Sequence, residues 1–306
     1  MKTYLVFGAN GFIGASLVEQ FAKENKVVAI DRFSRELNFK KTQNIEVGRA
    51  DVTKETSYKK FFDQKGVAGI VWAVGGVVPA DTLANEEILN LIEPAIKILR
   101  DGFEKKIPII LVSSAGMLYK PGKLLFTENS PVEPWTWYGL QKLIIERSLT
   151  LLANDFGNSK FTILRATSVY GERQPTEKSQ GVVGKLVKSA IIEAPFVLYG
   201  SAAAKRDYLY VGDLAKIVEK AFKQNLKYKV YNVSSGKLYT ISELKKIIEH
   251  LAGKKIDFQK MPKREIDPAS ISVSNKRLLA ELKNTEFTDI KEGLNNTFKW
   301  YKERLS

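Results

Sequence analysis

The chain has 306 residues, 44% of them hydrophobic, which is enough to bury a full core. It has no cysteine and a single histidine, and this inventory excludes disulfides, thiol catalysis and zinc sites of the Cys/His type. The formal net charge is +14, but basic and acidic residues are mixed along the helical patterns of residues 243–250 and 291–304. Such mixing is typical of a solvated helix surface, so we expect no nucleic-acid partner. No apolar stretch approaches the roughly 18 residues that span a bilayer. We therefore predict a cytoplasmic protein that binds neither a membrane nor a metal.

The chain begins with a predicted strand, residues 2–7, that runs directly into a glycine-rich turn and then a helical pattern. The glycines have the spacing G-x-x-G-x-x-G, one residue longer in the first gap than the commonest dinucleotide-binding fingerprint. They let the backbone approach a pyrophosphate, whose charge the start of the following helix favours. An ordinary glycine-rich turn is the alternative. The predicted cofactor contacts in this turn are Gly8, Asn10, Gly11, Phe12, Ile13 and Gly14.

A carboxylate follows the second apolar run. Asp31 lies at about the 20 residues beyond the turn where an acidic side chain can accept both ribose hydroxyls. It would repel a ribose 2′-phosphate, so NAD is favoured over NADP, although the adjacent Arg32 could soften that preference. We predict that both residues contact the cofactor.

Apolar runs alternate with helical patterns along the first half of the chain. The runs are residues 4–7, 27–30, 45–47, 69–74, 109–112 and 162–165. This alternation predicts an α/β fold of the Rossmann type, a doubly wound parallel sheet with helices on both faces. We predict a cofactor-binding domain of residues 1–168 with a return segment near 208–234. Residues 169–306 would mainly form a smaller C-terminal lobe that binds substrate over the carboxyl ends of the strands.

Tyr138 and Lys142 are four residues apart on a predicted helix and so lie on one face. A neighbouring ammonium stabilises a phenolate, so we expect the pKa of Tyr138 to be lowered towards neutrality, where it can exchange a proton with a substrate hydroxyl. Ser113 and Ser114 end a strand-like run and are placed to hydrogen-bond the same hydroxyl. A Y-x-x-x-K pair alone is common, and an exposed helix pair is the alternative.

With these motifs the sequence resembles, over nearly its whole length, the extended short-chain dehydrogenase/reductase superfamily, and within it the NAD-dependent nucleotide-sugar epimerases and dehydratases. Two later segments add to the resemblance: L-R-A-T-S-V-Y-G at residues 164–171 and R-D-Y-L-Y-V-G-D at residues 206–213. The resemblance implies that Ser114, Tyr138 and Lys142 are catalytic. It also implies further cofactor contacts at Asp51, Val52, Val74, Ser113, Tyr138 and Lys142.

The substrate that the resemblance implies is a nucleotide sugar. The implied contacts are Ser114, Tyr138, Ser168, Arg173, Tyr199 and Arg206. Arg206 would bind the diphosphate; a surface ion pair with Asp207 or Asp213 is the alternative, because exposed pairs are common. A homodimer through helices at residues 88–97 and 138–152 is implied as well.

The implied reaction is a 4-epimerisation. Tyr138, as a phenolate, takes the proton of a sugar hydroxyl while a hydride passes to the nicotinamide, Ser114 orients the oxygen, and Lys142 holds the ribose and tunes Tyr138. The resulting 4-ketosugar would be reduced again on its other face. A reductase of a nucleotide-linked 4-keto-6-deoxy sugar would use the same residues, and a non-catalytic NAD-binding protein is a third interpretation. Dehydration is disfavoured, because Ala115 and Gly116 stand where a dehydratase has an acid and a base.

The sequence departs from the family pattern near the expected substrate. Ala166 and Ser168 replace the usual proline or aromatic residue and the usual asparagine, which removes an amide contact to the diphosphate. One extra residue also separates Ser114 from Tyr119 compared with some epimerases, so Ser113 is an alternative to Ser114 as the catalytic serine.

Overall fold

A computed structural model describes residues 1–82, 86–120, 125–157, 159–177, 180–267 and 270–305. A seven-stranded sheet, parallel throughout, forms the larger part of the molecule, with the strand order β10-β6-β5-β4-β1-β2-β3. Its strands are β1 (Thr3–Phe7), β2 (Lys26–Asp31), β3 (Ile45–Arg49), β4 (Val67–Trp72), β5 (Ile109–Ser114), β6 (Phe161–Ala166) and β10 (Val230–Val233).

Helices cover both faces of this sheet. They are α1 (Phe12–Phe21), α2 (Glu55–Tyr58), α3 (Glu87–Asn90), α4 (Ile92–Glu104), α5 (Trp137–Asp155) and α7 (Val211–Lys223), with a short 3-10 helix at Lys59–Asp63. Tyr4 and Val6 of β1 pack into the core on the side of α1 and α7, whereas Leu5 and Phe7 pack into the core on the side of α4 and α5. Successive side chains of a strand point to opposite faces, so a sheet covered on both sides needs a continuous apolar run.

The smaller part of the molecule is a mixed α/β lobe with its own core. Its elements are β7 (Ser168–Tyr170), α6 (Val182–Ile192), β8 (Phe196–Tyr199), β9 (Lys205–Tyr210), β11 (Leu238–Thr240), α8 (Ile241–Ala252), β12 (Phe258–Met261), β13 (Ser270–Ile271) and α10 (Ile290–Leu305). Helix α9 (Lys276–Glu281) instead packs beside β10 of the large sheet, where Leu278 joins the core on the side of α1 and α7. Strand β9 pairs with β11, β13 and β7, and β8 pairs with β12. Leu186 of α6, Ile248 of α8 and Leu294 of α10 are buried in the lobe core.

The predicted fold class is confirmed. The six predicted strands correspond to β1–β6, although β4 ends at Trp72 and so leaves Val74 beyond the strand. Within the predicted return segment, β10 joins the edge of the large sheet beside β6. The domain boundaries stay a prediction. In the described part of the chain, no helix has the length and apolar character needed to cross a bilayer.

Candidate active site

A cleft of ≈ 870 Å³ lies where the carboxyl ends of β5 and β6 face the small lobe. One side, which we call the sheet wall, contains Phe12, Ile13, Ser113, Ser114 and Tyr138. The opposite side, the lobe wall, contains Lys185, Tyr199, Arg206, Tyr208, Arg264 and Asp267. Open parallel sheets place their ligands at this end of the strands.

The glycine turn is shaped by close backbone contacts. Gly8 has φ +81°, a left-handed conformation, and a Cβ there would lie 2.7 Å from the backbone of Ala73. A Cβ on Gly14 would lie 1.9 Å from the carbonyl oxygen of Gly8, so only glycine lets α1 pack against the turn. Gly11 is the N-cap residue of α1. The start of α1 and the turn therefore present backbone at the position where a pyrophosphate binds in such folds.

Asn10 and Asp31 connect this turn to the loop after β2. The backbone N–H of Asn10 donates to Asp31 Oδ2 at 3.0 Å. The buried side-chain amide of Asn10 donates to the Glu36 carbonyl at 3.0 Å and accepts from the Asn38 N–H at 2.7 Å. Asn10 thus holds the loop, while the carboxylate of Asp31 lies at the carboxyl end of β2, where a ribose would be recognised.

Arg32 is paired with Glu87 at 3.5 Å, so part of its positive charge is compensated by the protein itself. Gly76 lies beside the Glu87 carboxylate, where a larger residue would not fit, because a Cβ on Gly76 would lie 2.2 Å from Glu87 Oε2. Asp51 accepts hydrogen bonds from the N–H and hydroxyl of Thr53. Val52 and Val74 pack against the core on the α4 and α5 side, as half-buried residues near the same sheet edge.

The catalytic candidates meet at the start of α5. Thr136 caps this helix by accepting a hydrogen bond from the Gly139 N–H at 3.0 Å, which fixes the first turn that carries Tyr138. Ser114 lies close enough to the Tyr138 hydroxyl to act on its pKa, and both residues line the cleft. Lys142 Nζ lies 5.6 Å from the centre of the Tyr138 ring, and Lys142 is buried. The structure therefore brings all three residues together, with Ser114 rather than Ser113 on the tyrosine.

Ser113 also lines the cleft, but its role differs. Its hydroxyl oxygen is buried and has no hydrogen-bond partner in the described part of the chain. A buried hydroxyl without a partner costs free energy, which points to a ligand contact there.

The expected lowering of the Tyr138 pKa is wrong for the protein residues alone. Burial raises the pKa of Tyr138, and the nearby Ser114 side chain opposes that rise. The same burial lowers the pKa of Lys142 to about 8, against the opposing charge of Glu146. Removal from water disfavours each charged form and decides the direction of both shifts.

A buried ion pair lies one helical turn beyond Lys142. Glu146, one turn further along α5, binds Arg165 of β6 through three hydrogen bonds of 2.6 to 3.1 Å. Arg165 also donates to the Tyr119 hydroxyl at 2.9 Å, which in turn donates to Asn232 at 2.9 Å. This network joins α5 to β6 and to the edge strand β10 of the large sheet, and it fixes the helix that carries Tyr138 and Lys142.

Three of the predicted substrate residues, Ser168, Tyr199 and Arg206, line the cleft. Asp207 and Asp213, the alternative partners of Arg206, are buried and accept hydrogen bonds from Thr167 and Thr288.

Arg173 is placed differently from the prediction. Its guanidinium binds the Asn38 carbonyl at 2.5 Å and Glu19 at 2.7 Å, and Arg173 is absent from the described lining of the cleft. It connects the segment after β7 to α1 instead of facing a substrate.

Several lobe-wall residues were missed at the sequence level. They are Lys185, Tyr208, Arg264 and Asp267. Arg264 binds Asp267 at 2.7 and 3.0 Å, and its guanidinium stacks 4.5 Å from the centre of the Tyr199 ring. Among 48 lysines and arginines, no motif marks Lys185 or Arg264. In the described part of the chain, no three His, Cys, Asp or Glu side chains form a cluster that could hold a metal ion.

The sheet wall fits a nicotinamide dinucleotide. A backbone cradle that a Cβ would fill and the carboxylate of Asp31 lie at the carboxyl ends of β1 and β2, and Ser113, whose hydroxyl has no partner among the described residues, lines the cleft at the end of β5. The cradle suits a pyrophosphate and the carboxylate suits ribose hydroxyls.

Comparisons with known proteins agree with this geometry. The model of the NAD dependent epimerase/dehydratase family matches residues 4–234. A putative UDP-glucose 4-epimerase of Methanocaldococcus jannaschii is 27% identical over 97% of this chain and 98% of its own length. The dTDP-4-dehydro-6-deoxyglucose reductase of Escherichia coli is 32% identical, but over 60% of this chain and 56% of its own length. The crystal structure of UDP-glucose 4-epimerase with UDP-glucose from Thermotoga maritima has a TM-score of 0.91 at 22% identity, covering 99% of this chain and 100% of that one.

Proposed function

The chain belongs to the NAD dependent epimerase/dehydratase family, and from that premise we propose that it is a nucleotide-sugar 4-epimerase acting through a transient 4-ketosugar. The observation that carries the proposal is the Tyr138 hydroxyl, beside Ser114 and close to the buried Lys142, at the wall of a large cleft. These are the groups that a reversible oxidation of a sugar hydroxyl requires.

The glycine turn would hold the pyrophosphate of the cofactor, and Asp31 its adenosine ribose. When bound, NAD supplies the acceptor and later the donor of the hydride, and a positive charge beside Tyr138. We propose NAD rather than NADP, because Asp31 would repel a 2′-phosphate and Arg32 is paired with Glu87.

Tyr138 would take the proton from the sugar hydroxyl at C4 and return it when the ketone is reduced. Ser114, which lines the cleft beside the Tyr138 hydroxyl, would orient the reacting oxygen by a hydrogen bond. Lys142 holds the ribose, and its ammonium opposes the cost of forming a buried phenolate. Because the Lys142 pKa is lowered to about 8, this support weakens in mildly alkaline solution.

The cleft has room for the ketosugar to rotate. Gly116, Ala166 and Ser168 line the cleft with small side chains, and a Cβ added to Gly116 would have no neighbour within 4 Å. Rotation of the intermediate is the step that distinguishes an epimerase from a simple dehydrogenase. Dehydration is disfavoured, because Ala115 is buried in the core and the described lining holds one carboxylate, Asp267, on the lobe wall.

Arg206 is proposed to bind the diphosphate of the substrate, with Ser168 and Tyr199 as further contacts. The identity of the base and of the sugar is left to experiment. A cytoplasmic location stays a prediction.

We also propose a homodimer through α3, α4 and α5. Leu151 on α5 is 64% exposed and Leu89 on α3 is 58% exposed. Leu140 is exposed as well and lies eleven residues before Leu151, on the same face of α5. A static light-scattering measurement should give the mass of two chains.

The activity test uses the NAD-loaded protein with UDP-glucose, UDP-N-acetylglucosamine and dTDP-4-keto-6-deoxyglucose in separate reactions, each with and without NADH. Products are followed by NMR and the cofactor by absorbance. A 4-epimer formed without net change in NADH supports the proposal. Failure with the whole panel under NAD saturation would count against it.

A ketosugar reductase is the second candidate, favoured by the 32% identity to the dTDP-4-dehydro-6-deoxyglucose reductase over part of the chain. The same panel separates the two activities. Stoichiometric NADH consumption with the ketosugar, and no epimer with either UDP-sugar, would identify a reductase.

A further inference from the structure

The lobe wall carries an excess of positive charge. Of the described residues that line the cleft, five are basic and one, Asp267, is acidic; the basic ones are Lys185, Lys188, Arg206, Lys263 and Arg264. Asp267 is already bound to Arg264, and Lys188 is bound to Glu177 at 2.5 Å. The net charge of the lining is therefore positive, and it faces a cleft, where low-dielectric walls strengthen the attraction for an anion.

Lys185 is the basic residue whose surroundings most need explanation. It lies in the first turns of α6, between the buried Gly184 and Leu186, and is itself half-buried. Burial and the positive charge of Arg264 both lower its pKa, and only Glu177, the weakest of the three influences, opposes them. A lysine held near an arginine in a partly dehydrated place is destabilising unless an anion binds between them.

Tyr208 gives an independent indication of a ligand at this wall. It is 5% exposed, lines the cleft, and its hydroxyl has no hydrogen-bond partner among the residues the structure describes. Arg206, two residues earlier on β9, is close enough to act on its titration. A buried donor without a partner, next to several cations, fits the oxygen-rich surface of a phosphate group.

We propose that Lys185 is a substrate-binding residue that contacts the diphosphate of the nucleotide sugar from α6, opposite Arg206 on β9. This inference rests on the proposed function for the identity of the anion. It also supplies a cation near the diphosphate in a chain where Ser168 stands in place of a longer amide side chain. A carboxylate on the sugar is the other source of the same chemistry, and the probes below distinguish the two.

The test measures binding rather than turnover, so it does not depend on the sugar or on the reaction. NAD-loaded protein is titrated with UDP, dTDP and uncharged uridine by calorimetry. Charge-assisted hydrogen bonds to phosphate contribute enough that Lys185→Gln should weaken binding of the diphosphates about tenfold and leave uridine binding unchanged. Lys185→Arg should restore most of the affinity. Lys188→Gln removes the same charge from the same helix and should change the affinity less than twofold, because Lys188 is paired with Glu177.

Equal effects of Lys185→Gln and Lys188→Gln would overturn the inference, since general attraction would then account for both. Unchanged diphosphate binding in Lys185→Gln, together with weakened binding of UDP-glucuronate but not UDP-glucose, would assign the lysine to a sugar carboxylate and also overturn it. Absence of UDP and dTDP binding to the original protein would overturn it as well. A tenfold effect in a protein that catalyses no epimerisation would uphold the inference and reject the proposed function.

Discussion

The two sides of the cleft differ in how their charged residues are paired. On the sheet-wall side, Arg165 is buried against Glu146 through three hydrogen bonds, so that side neutralises its own charges. On the lobe wall, Lys185 lies near Arg264, and the described lining contains one carboxylate for five basic residues. Internal compensation stabilises the helix that holds the catalytic groups, whereas an excess of one sign requires a ligand to complete it. The ion pair beneath the catalytic residues fixes a helix, and the charge of the lobe wall attracts an anion.

The largest effect is expected from Arg165→Met, which leaves Glu146 buried without its partner. Removing one member of a buried pair typically costs about 3–5 kcal/mol, so the free energy of unfolding in urea should fall by that amount. The double variant Arg165→Met/Glu146→Met should recover most of it, because no buried charge remains. A loss below about 1 kcal/mol for the single variant would remove the distinction between the walls, since Lys185→Gln, which removes a cation from beside Arg264, is expected to leave the free energy of unfolding unchanged or slightly raised.

The next effect is a pH dependence from Lys142. Burial lowers its pKa from the ordinary lysine value of 10.5 to about 8 in the folded state. Between these two pH values, Lys142 keeps its proton in the unfolded chain and releases it in the folded chain. The free energy of unfolding of the original protein should therefore rise with pH over this range, relative to that of the Lys142→Met variant. The difference should reach roughly 3 kcal/mol and be constant below pH ~8. Urea titrations of both proteins at several pH values measure it. A difference that decreases over this range would contradict the burial of a charged lysine.

Tyr138→Phe should lower turnover by about 10²-fold or more, which is the usual scale for a lost acid/base group. The ring and its packing remain, so NAD affinity should be unchanged in a calorimetric titration. The comparison of turnover with affinity separates chemistry from binding. Turnover within a fewfold of the original would show that another group moves the proton.

The smallest effect concerns cofactor choice. Glu87→Gln removes the partner of Arg32, a largely exposed pair whose contribution is small. The ratio of NADP to NAD affinity should rise by up to about fivefold, as measured by direct titration with the two cofactors. Glu86→Gln, a neighbouring exposed carboxylate, is the control and should leave the ratio unchanged. An equal rise of this ratio in both variants would show that the lost negative charge acts at long range, and not through the pair with Arg32.

The sheet wall could be predicted from the sequence because its geometry is local. The glycine spacing encodes a backbone path, with Gly14 packed against Gly8, and the four-residue spacing of Tyr138 and Lys142 encodes one helix face. The lobe wall could not be predicted in this way. Lys185 and Arg264 lie on separate segments and become neighbours only through the tertiary fold.

Two errors have the same origin. Arg173 was expected at the substrate, but its partner Glu19 lies 154 residues earlier in the chain and no sequence pattern joins them. The pKa of Tyr138 was expected to fall, but it rises because of burial, which a sequence does not show.

The most direct test of the central claim follows the hydrogen at C4. The nucleotide sugar that the substrate panel identifies is prepared with deuterium at C4 and incubated with NAD-loaded protein in ordinary water, and the 4-epimer is examined by NMR. Transfer to the cofactor and back predicts a product that retains deuterium at C4. Replacement of the label by hydrogen from water would contradict reversible hydride transfer in this cleft.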